Sequence, residues 1–236
     1  MDIVDKLPLL QSGELRVTGR LVDASNATLY ATSVLESEEM LCIYKPVAGE
    51  RPLWDFADGS LAHREYAAYL VSKEIGFDLV PLTVLRDGPY GYGMAQEWIA
   101  IDESIDLAVF FSTDHPRLRL MAIFDAIINN TDRKIGHLLP MDMQTVLGCD
   151  HGITFHVDDK LRTVLWQWAE DPFTADEIDL LERAHDLISN ELGTTLQQYL
   201  THNEIQATTI RIKRLIDTGH FPLPNPNWPA VPWPAF

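Results

Sequence analysis

The chain has 236 residues, 46% of them hydrophobic, and 35 acidic against 18 basic side chains give a formal net charge of −17 at pH 7. This content suits a globular chain with one good core or two small lobes sharing a cleft, and it excludes a disordered one. The charge argues against a broad nucleic-acid surface, which needs clustered Lys and Arg, and against lying flat on an anionic membrane; solubility is its plain meaning. No apolar run approaches the roughly 18 residues of a membrane span. The start MDIVDKLPLL carries acids where a secretory signal carries bases. Two cysteines, Cys42 and Cys149, are too few for a disulfide framework, so the expected location is a reducing cytoplasm.

Residues 13 to 46 read as strands: an alternating stretch from Gly13 to Val22, a turn from Asp23 to Thr28, then β-rich runs at Leu29 to Leu35 and Leu41 to Tyr44. Ser60 as N-cap and Gly76 as stop predict a helix over 61 to 75. Strands are expected at 80 to 86 and 92 to 99, around the turn Asp87-Gly88-Pro89. After Ile101 the texture becomes helical, with a very apolar helix over 117 to 129. A polar loop from Thr131 to Pro140 runs into a short strand, and a second short strand, Val146 to Cys149, precedes Asp150-His-Gly. Thr174-Ala-Asp-Glu177 is a capping box that opens a helix, and two more helices fit at about 193 to 201 and 203 to 217. Six prolines among residues 222 to 234, with Trp228 and Trp233, predict an extended tail that docks through its aromatics. The expected architecture is one α+β unit. It has a β-rich N-lobe at about 1 to 99, a helical C-lobe at about 100 to 220 and the tail at 221 to 236.

Four polar features break the apolar pattern. Lys45 ends the apolar strand Leu41 to Tyr44 and is followed by Pro46, which points it along or into a cleft, although an ordinary strand-end lysine reads the same way. Glu65 lies on or beside the apolar stripe of its helix, where a carboxylate needs a cation. Lys45 is one candidate partner, Arg64 or Lys73 the others. The apolar helix delivers the chain into Asn129-Asn130-Thr131-Asp132-Arg133-Lys134, a polar loop that needs hydrogen-bond partners or a ligand. Asp125, inside that helix, reads as a structural acid tying down the loop. Asp150 follows a β-run and precedes Gly152 in a turn suited to holding Mg2+.

The stretch Phe124-Asp-Ala-Ile-Ile-Asn-Asn-Thr-Asp-Arg133 resembles the catalytic-loop region of type II phosphatidylinositol 4-kinases. Asp150-His-Gly-Ile-Thr-Phe155 resembles the Asp-x-Gly metal motif that follows it. Tyr44-Lys45-Pro46 is similar to the ATP-lysine strand of the wider phosphatidylinositol 3/4-kinase-like and HipA-like superfamily, which includes small bacterial kinase-like proteins. The resemblance spans residues 45 to 155 and implies a two-lobed protein-kinase-like fold that binds ATP with Mg2+ or Mn2+. It gives Lys45 the α/β-phosphates and the partner Glu65, Asp132 the acceptor hydroxyl, and Asp150 the metal. Phosphoryl transfer needs mainly positioning and charge neutralisation, which such groups supply. The turn holding Ser25 and Asn26 would cover the phosphates, although it is not glycine-rich. Met94 to Trp98, with Gln96, Glu97 and Trp98, would be the hinge that meets adenine, and the same segment also reads as a plain buried strand.

Two positions depart from the pattern. His137 stands where the family has Asn as second metal ligand, and imidazole suits Mn2+ or Zn2+ better than Mg2+. Lys134 replaces a His and would contact the γ-phosphate. The expected activity is a phosphotransferase acting on a protein hydroxyl or a small molecule. Its main rival is a nucleotide-binding pseudokinase serving as regulatory module or scaffold. A metal hydrolase built on Cys149, Asp150, His151, His156 and His137 is a further reading, but it leaves Lys45 and Glu65 without a role and matches no standard zinc spacing.

Overall fold

The computed structural model describes residues 6–21 and 27–236. Five antiparallel strands form the first lobe: β1 (Glu14–Arg20), β2 (Leu29–Leu35), β3 (Glu38–Pro46), β4 (Thr83–Gly88) and β5 (Gly91–Glu97), in the order β1-β2-β3-β5-β4. Helix α1 (Lys6–Ser12) lies against this sheet and was not legible in the sequence. At seven residues it is too short to be stable alone. It forms by burying Leu9 and Leu10, the latter in a small core with Leu15, Ala31, Cys42, Tyr44, Val84 and Ala95.

Strand alternation places the key lysine. Cys42 and Tyr44 face the α1 side, so Ile43 and Lys45 point to the opposite face. Helix α2 (Leu61–Ile75) packs there, against β4 and β5. It stops at Gly76, whose left-handed φ of 91° serves as the expected C-terminal signal. Its start differs from expectation, because Ser60 is itself helical and makes no side-chain cap. Glu50 caps the helix instead, accepting from Leu61 N at 3.1 Å and Ala62 N at 2.8 Å. β4 begins at Thr83 rather than near residue 80, consistent with Pro81 having no N–H for a ladder.

The second lobe contains α3 (Leu107–Phe110), α4 (Pro116–Ile128), the hairpin β6 (Leu138–Pro140) and β7 (Val146–Gly148), α5 (Ala175–Ser189), α6 (Glu191–Leu196) and α7 (His202–Thr218). α4 runs through its core with Leu118, Met121, Ile123, Phe124, Ile127 and Ile128 all fully buried. Thr174 and Glu177 form the expected capping box on α5. α6 starts before the expected position; a Cβ on Gly193 would lie 2.0 Å from Ile188 O, so the helix can pack there only on a glycine. Arg64 of α2 bonds Glu204 of α7 and donates to Thr154 O at 2.6 Å, which fixes α2 to the second lobe.

The tail docks by backbone more than by aromatic rings. Ala230 O accepts from Thr163 N and Trp166 Nε1, and Ala235 O accepts from Ile135 N. Trp228 lies against Lys160 and Arg162, whereas Trp233 is 93% exposed. No helix among the described residues is long and apolar enough to cross a membrane.

Candidate active site between the lobes

Lys45 Nζ donates to Glu65 Oε1 at 2.6 Å and to Asp150 Oδ1 at 2.8 Å. The other Glu65 oxygen accepts from His151 N at 2.8 Å. Of the three candidate cations, Glu65 therefore takes Lys45; Arg64 is held by Glu204, and Lys73 lies over the Tyr69 ring. Glu65 is only 2% exposed, and burial raises its pKa against the opposing pull of Lys45. Burial also works against the Lys45 charge, but Asp150 and Glu65 more than offset it and leave the ammonium above its usual pKa. Asp150 is held well below the usual carboxylate range, chiefly by Lys45.

The polar loop after α4 is satisfied from within. Asn129 ends the helix in a left-handed conformation with φ 52°, which Asn tolerates better than most residues, and its amide donates to His156 O and Asp158 O. Asn130 Oδ1 accepts from Asp132 N at 2.9 Å, and Asn130 Nδ2 donates to Asp125 Oδ1 at 2.9 Å. Asp125 thus holds the loop as expected, but mainly through side chains. Its chief partner is Arg133, which is fully buried and bonds both carboxylate oxygens, at 2.9 Å from Nη2 and 3.0 Å from Nε. Arg133 also donates to Cys149 O at 3.1 Å and meets His151 Nε2 at 2.7 Å. It therefore ties the Asp132 loop to the Asp150 turn. The available sequence signal was a buried acid upstream of a loop arginine.

Asp132 stands beside Lys134, whose Nζ lies 3.5 Å from Oδ2. Burial raises its pKa, with Lys134 and Arg162 pulling the other way. Asp150 itself adopts the left-handed conformation, with φ 60°, rather than Gly152, so the strained position carries the carboxylate. Its Oδ2 lies 3.4 Å from His137 Nε2. Burial lowers the His137 pKa to about 4, so the ring is a neutral potential ligand at pH 7.

A divalent ion fits this pair only with help. Among the described residues no group of three His, Cys, Asp or Glu could hold a metal by itself. An ion between Asp150 and His137 must complete its shell with phosphate oxygens and water, which is the habit of Mg2+ and Mn2+. The hydrolase grouping is dispersed. The His151 ring is turned to Arg133 and Phe124, and His156 to Asp158 and Phe56. Burial pushes the Cys149 thiol up to about 12, away from the thiolate a zinc site needs.

Lys45, Glu50, Glu65, Asp132, Asp150 and Gly152 line one cavity. A larger one, about 800 Å³, opens between α7 and the tail. There Arg211 bonds Ile127 O and His156 O, and Arg214 pairs with Asp159, so its cations already have structural partners. The expected hinge lies at the end of β5. Gln96 is buried and donates to Thr83 Oγ1, while the N–H groups of Glu97 and Trp98 donate to Leu82 O and Leu41 O. Glu97 also pairs with Lys6, and Trp98 packs edge-on against Tyr30. Ser25 and Asn26 lie outside the described residues.

The fold is kinase-like. The crystal structure of the Golgi casein kinase with Mn/ADP bound superposes with a TM-score of 0.57 at 14% identity, covering 90% of this chain and 74% of that one. The Helicobacter pylori proinflammatory kinase CtkA gives a TM-score of 0.48 at 12% identity, over 89% of this chain and 95% of that one. No family model matches the sequence. Protein Rv2133c of Mycobacterium tuberculosis is 41% identical over 267 aligned positions, covering 98% of this chain and 96% of that protein, and the chain belongs to the Rv2133c family.

Proposed function

We propose that the chain is an ATP- and divalent-metal-dependent phosphotransferase acting on a protein hydroxyl or a small molecule, within the phosphatidylinositol 3/4-kinase-like and HipA-like superfamily. The observation that carries this reading is the Lys45 ammonium bridging Glu65 and Asp150 beneath the β-sheet. A hydrolase or a plain scaffold has no need of that bridge, whereas a nucleotide triphosphate needs a fixed cation from one lobe facing an acid from the other. The Mn/ADP content of the structural neighbour supports the same ligands here.

In this reading Glu65 aims Lys45 at the α/β-phosphates. Asp132, with its pKa raised by burial, accepts the acceptor's hydroxyl proton. Lys134, beside it, neutralises charge developing on the γ-phosphate. A divalent ion held by Asp150 and His137 would supply charge neutralisation across the phosphates. Reduced Cys42 and Cys149 fit a cytoplasmic location.

The test is incubation with γ-phosphate-labelled ATP and Mg2+ or Mn2+. The parent should label itself, an acceptor or water, and Asp132→Ala should lose about 100-fold or more of that rate. No hydrolysis, self-labelling or transfer into a lysate by the parent would sink the enzyme. His137 favours one second reading, the pseudokinase, because imidazole replaces the amide oxygen expected there. Nucleotide-induced thermal stabilisation without turnover is its signature. If His137 is a ligand, His137→Asn should move the metal preference from Mn2+ towards Mg2+, read by nucleotide binding in each metal. An unchanged preference would make His137 a loop residue only.

A further inference from the structure

The segment after the Asp150 turn runs back along the loop that carries Asp132. Arg162 N donates to Asn130 O at 2.9 Å, and Arg133 N donates to Arg162 O at 3.2 Å. The Arg162 side chain follows the same path, with Nε donating to Thr131 O at 2.6 Å, one residue before Asp132. Its guanidinium lies 5.6 Å from the Trp228 ring centroid. The half-buried Arg162 is therefore anchored at one nitrogen and backed by an aromatic ring.

Its fork is left over. Among the described residues neither Nη1 nor Nη2 of Arg162 has an acceptor, and no carboxylate pairs with it. The neighbouring cations differ. Lys160 pairs with Asp55 at 2.8 Å between the Trp54 and Trp228 rings, and Lys134 pairs with Asp132. Arg86, Arg117 and Arg211 also lack carboxylates, but their terminal nitrogens bind carbonyl or hydroxyl oxygens. The Arg162 charge acts on the nearby Asp132 carboxylate, but among the described residues no carboxylate is hydrogen-bonded to its fork, so an anchored guanidinium beside the proposed catalytic acid is free to take an incoming anion. Bracing Thr131 O needs only Nε, and acting on Asp132 through space needs no hydrogen bond, so the fork keeps its donors for a ligand.

We propose that Arg162 is an acceptor-recognition residue whose fork binds a carboxylate or phosphate carried by the acceptor next to the reacting hydroxyl. The inference rests on the phosphotransferase reading for its chemistry. The hydroxyl gives its proton to Asp132 while its oxygen bonds the γ-phosphorus. The bond from that phosphorus to the β–γ bridging oxygen breaks, and ADP leaves with that electron pair. Arg162 takes no part in the transfer; it sets which hydroxyl is presented and at what angle.

The experiment uses the full chain and two matched acceptor pairs: a serine peptide flanked by glutamates against one flanked by alanines, and D-glycerate against glycerol. Calorimetry reads binding, and labelled phosphate reads transfer. The anionic member of at least one pair should bind roughly tenfold more tightly than its neutral match, and the pair that does so identifies peptide or small molecule as the source. Arg162→Ala should abolish the difference, Arg162→Glu should reverse it towards a lysine-flanked peptide, and Lys213→Ala, a surface charge elsewhere, should leave it intact. Melting curves of each variant separate lost recognition from lost fold. Equal binding of anionic and neutral members by the parent would overturn the proposal. So would an Arg162→Ala effect confined to the KM for ATP, which would assign the fork to the nucleotide. Anion-selective binding that vanishes in Arg162→Ala, with no phosphate transferred by the parent, would keep the anion site and reject the kinase.

Discussion

Asp125→Ala should lower the folding free energy by about 3–5 kcal/mol, read as a shift in a urea unfolding curve. Asp125 and Arg133 are both 0% exposed, and the carboxylate is the only anion that pairs with that guanidinium among the described residues. Removing it leaves a buried charge with no counterion, a penalty well above that of a surface pair. The substitution also frees the Asn130 amide and removes an acceptor near Thr163 Oγ1. Asp125→Asn, which keeps an acceptor oxygen, should lose less. Arg133→Met combined with Asp125→Leu should recover much of the single-mutant loss, because exchanging a whole buried pair for apolar groups is often neutral. The double variant should nevertheless transfer little phosphate, since Arg133 also anchors Cys149 O beside Asp150. A loss below about 1 kcal/mol for Asp125→Ala would mean that water reaches the pair.

The elements set by local signals were legible in the sequence. Helix α2 falls on residues 61–75 and stops at the expected Gly76, α5 begins at the expected capping box, and α7 (His202–Thr218) lies within a residue of the expected 203 to 217, because periodicity and most end signals are encoded within a few residues. The capping box of α7, Thr201 with Glu204, was not singled out. Lys45 and Glu65 stood out because each is a charge in an apolar run. What stayed hidden is tertiary. Glu50 reaches the start of α2 from eleven positions before Leu61, so its side chain could not be read as a cap. Arg133 stood only as one member of a polar loop in need of partners, and it is the packing around α4 that makes it fully buried. Arg162 gains its meaning from Thr131 and Trp228, both more than thirty residues away in sequence. The Asp150 turn also misled, because the glycine beside it suggested where the unusual backbone would fall. The left-handed residue is the aspartate, whose Oδ1 is drawn to Lys45.

The Lys45 pair offers a sharper separation of folding from function. A lone Lys45→Met change leaves Glu65 in a site where it is 2% exposed, facing Asp150 without a cation. Asp150 has a 45% exposed side chain and can be solvated, so Glu65 bears most of the penalty. Its pKa is already raised by burial and should rise further until the carboxyl takes up a proton. Lys45→Met should therefore lose about 3 kcal/mol of stability as well as nucleotide affinity, the latter by roughly 100-fold if the ammonium holds phosphates. Adding Glu65→Gln removes the stranded charge while keeping an acceptor for His151 N. The Lys45→Met, Glu65→Gln variant should then regain most of the stability and none of the nucleotide affinity. Chemical unfolding and nucleotide titration read the two independently. Parental nucleotide affinity in that variant would remove Lys45 from the phosphate site, whereas unchanged stability in the single variant would mean that Glu65 is held by other groups. A split between the two measurements, stability rescued and affinity not, is the result that distinguishes a cation placed to meet phosphate from one placed only to neutralise a buried acid.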